Sequence, residues 1–76
     1  MACFGEKLRA WRRSKNLTQK NAGERLGVSG ATWSDWESEN KIPIPANVTL
    51  LQKLTGGAVT KKDVNQAIAA KRDLAL

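Results

Sequence analysis

The run from Leu17 to Glu37, LTQKNAGERLGVSGATWSDWE, leaves this chain few ways to fold. Start and stop signals for helices follow one another so closely that only two short helices and a tight turn fit between them. Thr18 is a hydroxyl residue placed to cap the first helix, and Gly27 sits where a helix would end and the backbone needs positive φ. Ser29 can then cap the second.

Apolar or small residues at Ala22, Gly23, Leu26, Val28, Trp33 and Trp36 fall on the buried sides of two steeply crossing helices. The small pair at 22 and 23 permits a close crossing. Val28, just before the cap, can staple to Trp33 and fix the angle at which the chain enters the second helix. Trp33 and Trp36, three apart on one face, read as core and not as base-stacking platforms. Gly30, Ala31, Thr32, Ser34 and Asp35 are left for the outer face, all small or short and polar. That face is too poor in apolar area for a core, yet narrow enough to slide into a DNA major groove, where side chains near a helix N-terminus meet base edges. Ala31 can meet a thymine methyl, Thr32 and Ser34 can bond bases or phosphates, and Asp35 can accept from the cytosine N4 amine. Gly30 is expected to permit close approach.

With LTQ at 17–19, LGVS at 26–29, Ser34 and Trp36-Glu37 in register, the stretch resembles the helix-turn-helix of the phage Cro and repressor family, which includes many small bacterial regulators. The segment KIPIPANVTLLQKLTGGAVT is similar to the corresponding part of short Cro-like prophage regulators, so the resemblance spans roughly residues 4 to 64. It implies an all-α fold, a compact bundle of about five short helices of the lambda-repressor-like type. It also implies that Gln19 anchors the motif on a phosphate, although a plain helix-start role would equally account for that residue. A charge contact from Lys20 would stand beside it, and Glu37 would pair with Arg12 of helix 1. The chain departs from the family pattern at Trp33, where most relatives carry an aliphatic residue, and at Glu39, where many carry glycine.

Phe4, Leu8 and Trp11 form one stripe of a first helix running from about residue 4 to Lys15. Its other faces carry Lys7, Arg9, Arg12, Arg13 and Lys15, expected to be a mixture of solvated surface and phosphate contacts. Asn16 tolerates the left-handed conformation of a helix end. Helix 2 runs from Thr18 or Gln19 to Leu26, and helix 3 from Ser29 to about Ser38, its first-turn amides and positive dipole end directed at the DNA. Gln19, Lys20, Arg9, Arg13, Ser29, Asn40 and Lys41 make up the expected phosphate-contacting set. A loop with two prolines follows to Pro45, and Ile42 is expected to plug the core. Pro45 starts a fourth helix that turns Val48, Leu51 and Leu54 inward and stops at Gly56-Gly57. Thr60 and Asp63 form a capping box for a fifth helix marked by Val64, Ala67 and Ile68. Leu74 and Leu76 make the stretch 60–76 a candidate two-fold interface, or else a cover for the monomer's own core.

A chain of 76 residues reads as one small domain, burying only about 60% of its unfolded surface, so dimerisation would help it. It carries 13 Lys and Arg against 7 Asp and Glu, a net charge of +6 that suits a polyanionic partner. With no histidine and a single cysteine, Cys3, the chain has no disulfide or metal site to build, no cofactor is expected, and an enzyme is disfavoured. No run approaches the ~18 residues needed to cross a bilayer, and without a signal or transit segment a cytoplasmic protein is expected, in a bacterial cell or phage-infected host. The combined reading is a sequence-specific regulator of transcription, a repressor binding a palindromic double-stranded operator as a homodimer, with no membrane or small-molecule partner. The alternative is a protein-interaction module, such as an antitoxin or antirepressor that retains the helix-turn-helix. A basic RNA- or membrane-binding peptide would need exposed aromatics, and the three tryptophans read as buried.

Overall fold

The computed structural model describes residues 3–75, with side chains described as far as Ala69. Among the described residues there are five helices and no strand: α1 (Phe4–Ser14), α2 (Gln19–Leu26), α3 (Gly30–Glu37), α4 (Pro45–Leu54) and α5 (Lys61–Ala75). Each boundary has a local chemical cause. Asn16 takes φ 56° and turns the chain out of α1. The Thr18 hydroxyl accepts from the Asn21 amide at 3.0 Å, satisfying one of the unpaired donors at the start of α2. Gly27, at φ 74°, ends that helix in the left-handed conformation that a side chain would strain. Two residues later the Ser29 hydroxyl caps α3 by accepting from the Thr32 amide at 3.1 Å.

α4 begins on Pro45, whose missing N–H costs nothing in a first turn. It gives way to Gly56 and Gly57, at φ 63° and 92°. Thr55 closes this end from within the core, donating to the Leu51 carbonyl at 2.8 Å while accepting from the Val59 amide at 3.1 Å. The capping box of α5 is reciprocal: Asp63 accepts from the Thr60 amide at 3.0 Å, and the Thr60 hydroxyl from the Asp63 amide at 3.3 Å.

One core joins all five helices. Phe4, Leu8 and Trp11 from α1 meet Ala22, Trp33, Trp36, Val48, Leu51, Val59 and Val64, with Leu17, Leu26, Val28, Ile42, Leu54, Ala67 and Ile68 packed around them. Trp33 is wholly buried, its ring 6.2 Å from that of Trp11 and 6.1 Å from that of Trp36, both tilted, a geometry aromatic pairs prefer to flat stacking. Pro43 and Val59 also enter the interior, although neither belongs to a periodic helical stripe. Lys7 and Asp63, 2.8 Å apart, tie α1 to α5. Burial pushes the Asp63 carboxyl up, but its bonds from Lys7 and Thr60 and the lysine charge outweigh this and hold it below the usual aspartate range.

The α2–α3 crossing positions everything that follows. A Cβ on Gly23 would lie 2.7 Å from the Val28 carbonyl oxygen and 2.9 Å from that of Ser29, so only glycine allows α2 to lie this close to the entry of α3. Gly30 works in the same way from the other side. A Cβ there would meet the Lys20 backbone at 3.0–3.1 Å. Gly30 was expected to permit close approach to DNA; the close approach seen here is to α2.

Candidate nucleic-acid interface

α3 has two flanks with opposite chemistry. The inner one carries Trp33, Trp36 and Glu37, all buried. Glu37 is the junction of the first three helices. From α1, Arg12 donates through Nε to Oε2 at 2.6 Å and through Nη2 to Oε1 at 3.2 Å, while its Nη1 reaches the Leu17 carbonyl at 2.9 Å. Arg9 adds a longer contact to Oε1 at 3.4 Å. From α2, the Gln19 amide donates to Oε1 at 3.2 Å. Within α3, the Trp33 indole N–H, one turn before Glu37, closes on Oε2.

A carboxylate with a side chain only 1% exposed is tolerable because each oxygen has several donors, one of them a bidentate guanidinium. Burial alone pushes this carboxyl up. The bonds from Arg12, Gln19 and Trp33, with the Arg12 charge, overcome that and hold Glu37 ionised below the ordinary glutamate range.

The outer flank is open. Ala31 is exposed, and Thr32, Ser34 and Asp35 are half-buried. The Thr32 hydroxyl lies 3.0 Å from that of Ser29, so these two share the cap at the tip of the helix, where Ser29 is exposed. Asp35 is not isolated: Lys41 Nζ stands 3.7 Å from its Oδ2.

The cationic and polar residues expected to meet phosphate are distributed around this flank in different ways. Lys20 is exposed, and its backbone abuts Gly30 at the first turn of α3. Arg9 spends one N–H on Glu37 and keeps 45% of its side chain in solvent, leaving guanidinium donors for another acceptor. Arg13, one turn further along α1, is exposed, as are Asn40 and Lys41 in the loop after α3. Gln19, the first residue of α2, also joins the Glu37 cluster: its amide donates to that carboxylate and is half-buried, with one N–H left over. Sequence reading paired Glu37 with Arg12 alone. The additional donors were visible only in part, because Trp33 and Glu37 are four apart on one helix, whereas Arg9 and Gln19 reach the carboxylate through tertiary packing.

Cys3 is half-buried, and burial together with a hydrogen bond to Glu39 pushes its thiol up. A raised thiol pKa makes it a poor nucleophile. Among the described residues no group of three or more His, Cys, Asp or Glu is placed to hold a metal, and no helix is long and apolar enough to cross a membrane.

Two capped helices locked by a glycine crossing, with a buried inner flank and an open, small-residue outer flank on the second, define a helix-turn-helix module. The sequence model of a family described as a helix-turn-helix domain matches residues 4–64, and the chain belongs to that family. No curated protein and no solved structure matches the chain. Membership places it among the DNA-binding regulators of transcription, a class that is typically non-enzymatic.

Proposed function

We propose that this chain is a sequence-specific repressor of the phage or prophage type, which occupies a roughly palindromic operator as a homodimer and excludes polymerase. The observation that carries the reading is the open outer flank of α3. Its exposed or half-buried surface offers only two methyls, two hydroxyls and one carboxylate, a width and chemistry that suit a major groove. Ala31, Thr32, Ser34 and Asp35 would meet base edges there. Arg9, Arg13, Gln19, Lys20, Ser29, Asn40 and Lys41 would position the helix on the phosphates.

Two copies would place their α3 helices about 34 Å apart in successive grooves on one side of the duplex. The net charge of +6 makes phosphate neutralisation the main source of affinity, so log K should fall steeply with log salt. So few base-reading side chains also leave room for DNA deformability to contribute specificity at untouched base pairs.

The stretch 60–76 remains the proposed two-fold contact. Val64 faces the monomer's own core, and Ala67 and Ile68, packed at its edge, stay half-exposed. Leu76 and the side chain of Leu74 lie outside the described residues. The test is selection of bound fragments from random duplex DNA. A recovered motif with two-fold symmetry and half-sites one helical turn apart supports the proposal. Recovery of unrelated fragments, with affinity weaker than micromolar at physiological salt, alongside co-purification of a protein partner, would replace it with the antitoxin or antirepressor reading.

A further inference from the structure

Across residues 30–36 the outer flank of α3 carries one ionisable side chain, Asp35, on the face proposed to enter the groove of a polyanion. The loop that follows is pinned to this same residue. Ser38 Oγ donates to the Asp35 main-chain carbonyl at 3.2 Å, and the amides of Asn40 and Lys41 reach it at 2.9 and 3.4 Å. Glu39 supplies the chain reversal by taking φ 61°. Lys41 is therefore set beside Asp35 by the backbone, not by a chance meeting of two long side chains. Its ammonium, 3.7 Å from the carboxylate on a side chain 71% exposed, remains free to swing away.

These two charges want different things from DNA. A carboxylate finds a favourable partner only where a base amine, cytosine N4 or adenine N6, points into the groove, because the other polar edges present acceptors. An ammonium finds a partner at every phosphate. Over a base pair with no amine at the right place, the ammonium gains most by staying on Asp35, where it offsets the repulsion between carboxylate and backbone. Over a matching pair the amine takes the carboxylate, and the ammonium is released.

We propose that Lys41 is a conditional phosphate contact, held by Asp35 and released to the DNA backbone only when a base amine satisfies that carboxylate. One base match is then registered twice, once by Asp35 and once by the phosphate that Lys41 gains. The inference rests on the DNA-binding reading above.

The test measures equilibrium binding of the full chain, over a salt series, to a duplex recovered by selection. The comparison duplex is changed only at the base pair where Asp35→Asn relaxes preference. For the unmodified chain, the slope of log K against log salt should be steeper by about one on the matched duplex. Lys41→Gln should abolish that difference, weakening binding to the matched duplex by about tenfold and to the changed duplex little. Asp35→Asn should give the steeper slope on both. Both substitutions touch a solvent-accessible pair, 71% and 34% exposed, and should shift the melting temperature little, so these losses are not unfolding.

Equal losses on the two duplexes with Lys41→Gln, or none on either, would overturn the conditional contact. So would an Asp35→Asn variant with unaltered preference at every pair, and in each of these cases the DNA-binding reading stands. Failure of the unmodified chain to select any duplex overturns both.

Discussion

Asp35 and Glu37 stand two residues apart on α3 and carry the same functional group, yet the fold treats them as opposites. Glu37 is turned inward, 1% exposed at the side chain, with donors from Arg9, Arg12, Gln19 and Trp33. Asp35 is turned toward solvent, 34% exposed at the side chain, with one lysine at 3.7 Å. The buried carboxylate defines where three helices meet, and the open one is left to meet something else. Helical rotation alone separates the roles: two residues turn the side chain through roughly 200° at about 3.6 residues per turn.

The sharpest way to break this contrast is to remove the inner carboxylate. Glu37→Ala would leave the Arg12 guanidinium, 14% exposed, with only the Leu17 carbonyl as acceptor, and the Trp33 indole N–H with none. Breaking a buried pair costs about 3–5 kcal/mol. A chain of this length holds only about 4–11 kcal/mol in all. Denaturant titration should therefore show the variant losing a large fraction of its stability, with DNA binding lost as a consequence. A loss below ~1 kcal/mol would mean the cluster is far more hydrated than its burial shows.

Acid probes the same carboxylate without mutation. Glu37 and Asp63 are both held below their ordinary values, so each contributes stability that is fully present above its unfolded-state pKa and lost as pH falls through the folded one. Melting temperature should hold steady from neutral pH down to about 5 and decline below ~4.3, the ordinary glutamate value. Asp63→Asn should lower the plateau slightly and leave most of the acid decline in place, because Glu37 remains. A decline already complete by pH 6 would point to some other group, and the chain has no histidine to supply it.

A smaller effect tests the crossing that keeps the two flanks apart. Gly23→Ala places a methyl against the backbone carbonyls of Val28 and Ser29, which cannot give way as a flexible side chain would. Overpacking of this kind costs about 1–3 kcal/mol, and it should tilt α3 relative to α2. Loss of stability measured by melting should therefore be accompanied by a loss of affinity at temperatures where the variant is folded.

The residues that made this fold legible in sequence are those whose chemistry acts locally. Thr18, Gly27 and Ser29 each serve a backbone need within three residues, and Thr60 with Asp63 completes its own box, so spacing alone exposed them. The pairing of Glu37 with Arg12 was legible through the family resemblance, and the structure holds the two at 2.6 Å. What escaped depends on contacts between segments distant in the chain: Lys7 with Asp63, the enlistment of Arg9 and Gln19 by Glu37, and the burial of Pro43 and Val59. The role of Gly30 at the α2 crossing was not read, because a small residue at a crossing and a small residue at a ligand face look alike in sequence. Glu39 shows the reverse: it takes φ 61°, a conformation that favours glycine, so the turn forms without the residue that usually signals it.

The outer carboxylate should produce the smallest change in stability and the most selective change in recognition. Asp35→Ala removes an exposed pair, and exposed pairs contribute about 0–1 kcal/mol. Melting should shift little, since the Asp35 carbonyl that anchors Ser38, Asn40 and Lys41 belongs to the backbone and survives the substitution. Discrimination at one base pair should fall by about 1–3 kcal/mol if the carboxylate accepts from a base amine. The check is a panel of single-pair operator variants bound by both proteins. A uniform change across the panel would make Asp35 a matter of overall charge, whereas a loss confined to one column separates it from its buried neighbour by function as well as by exposure.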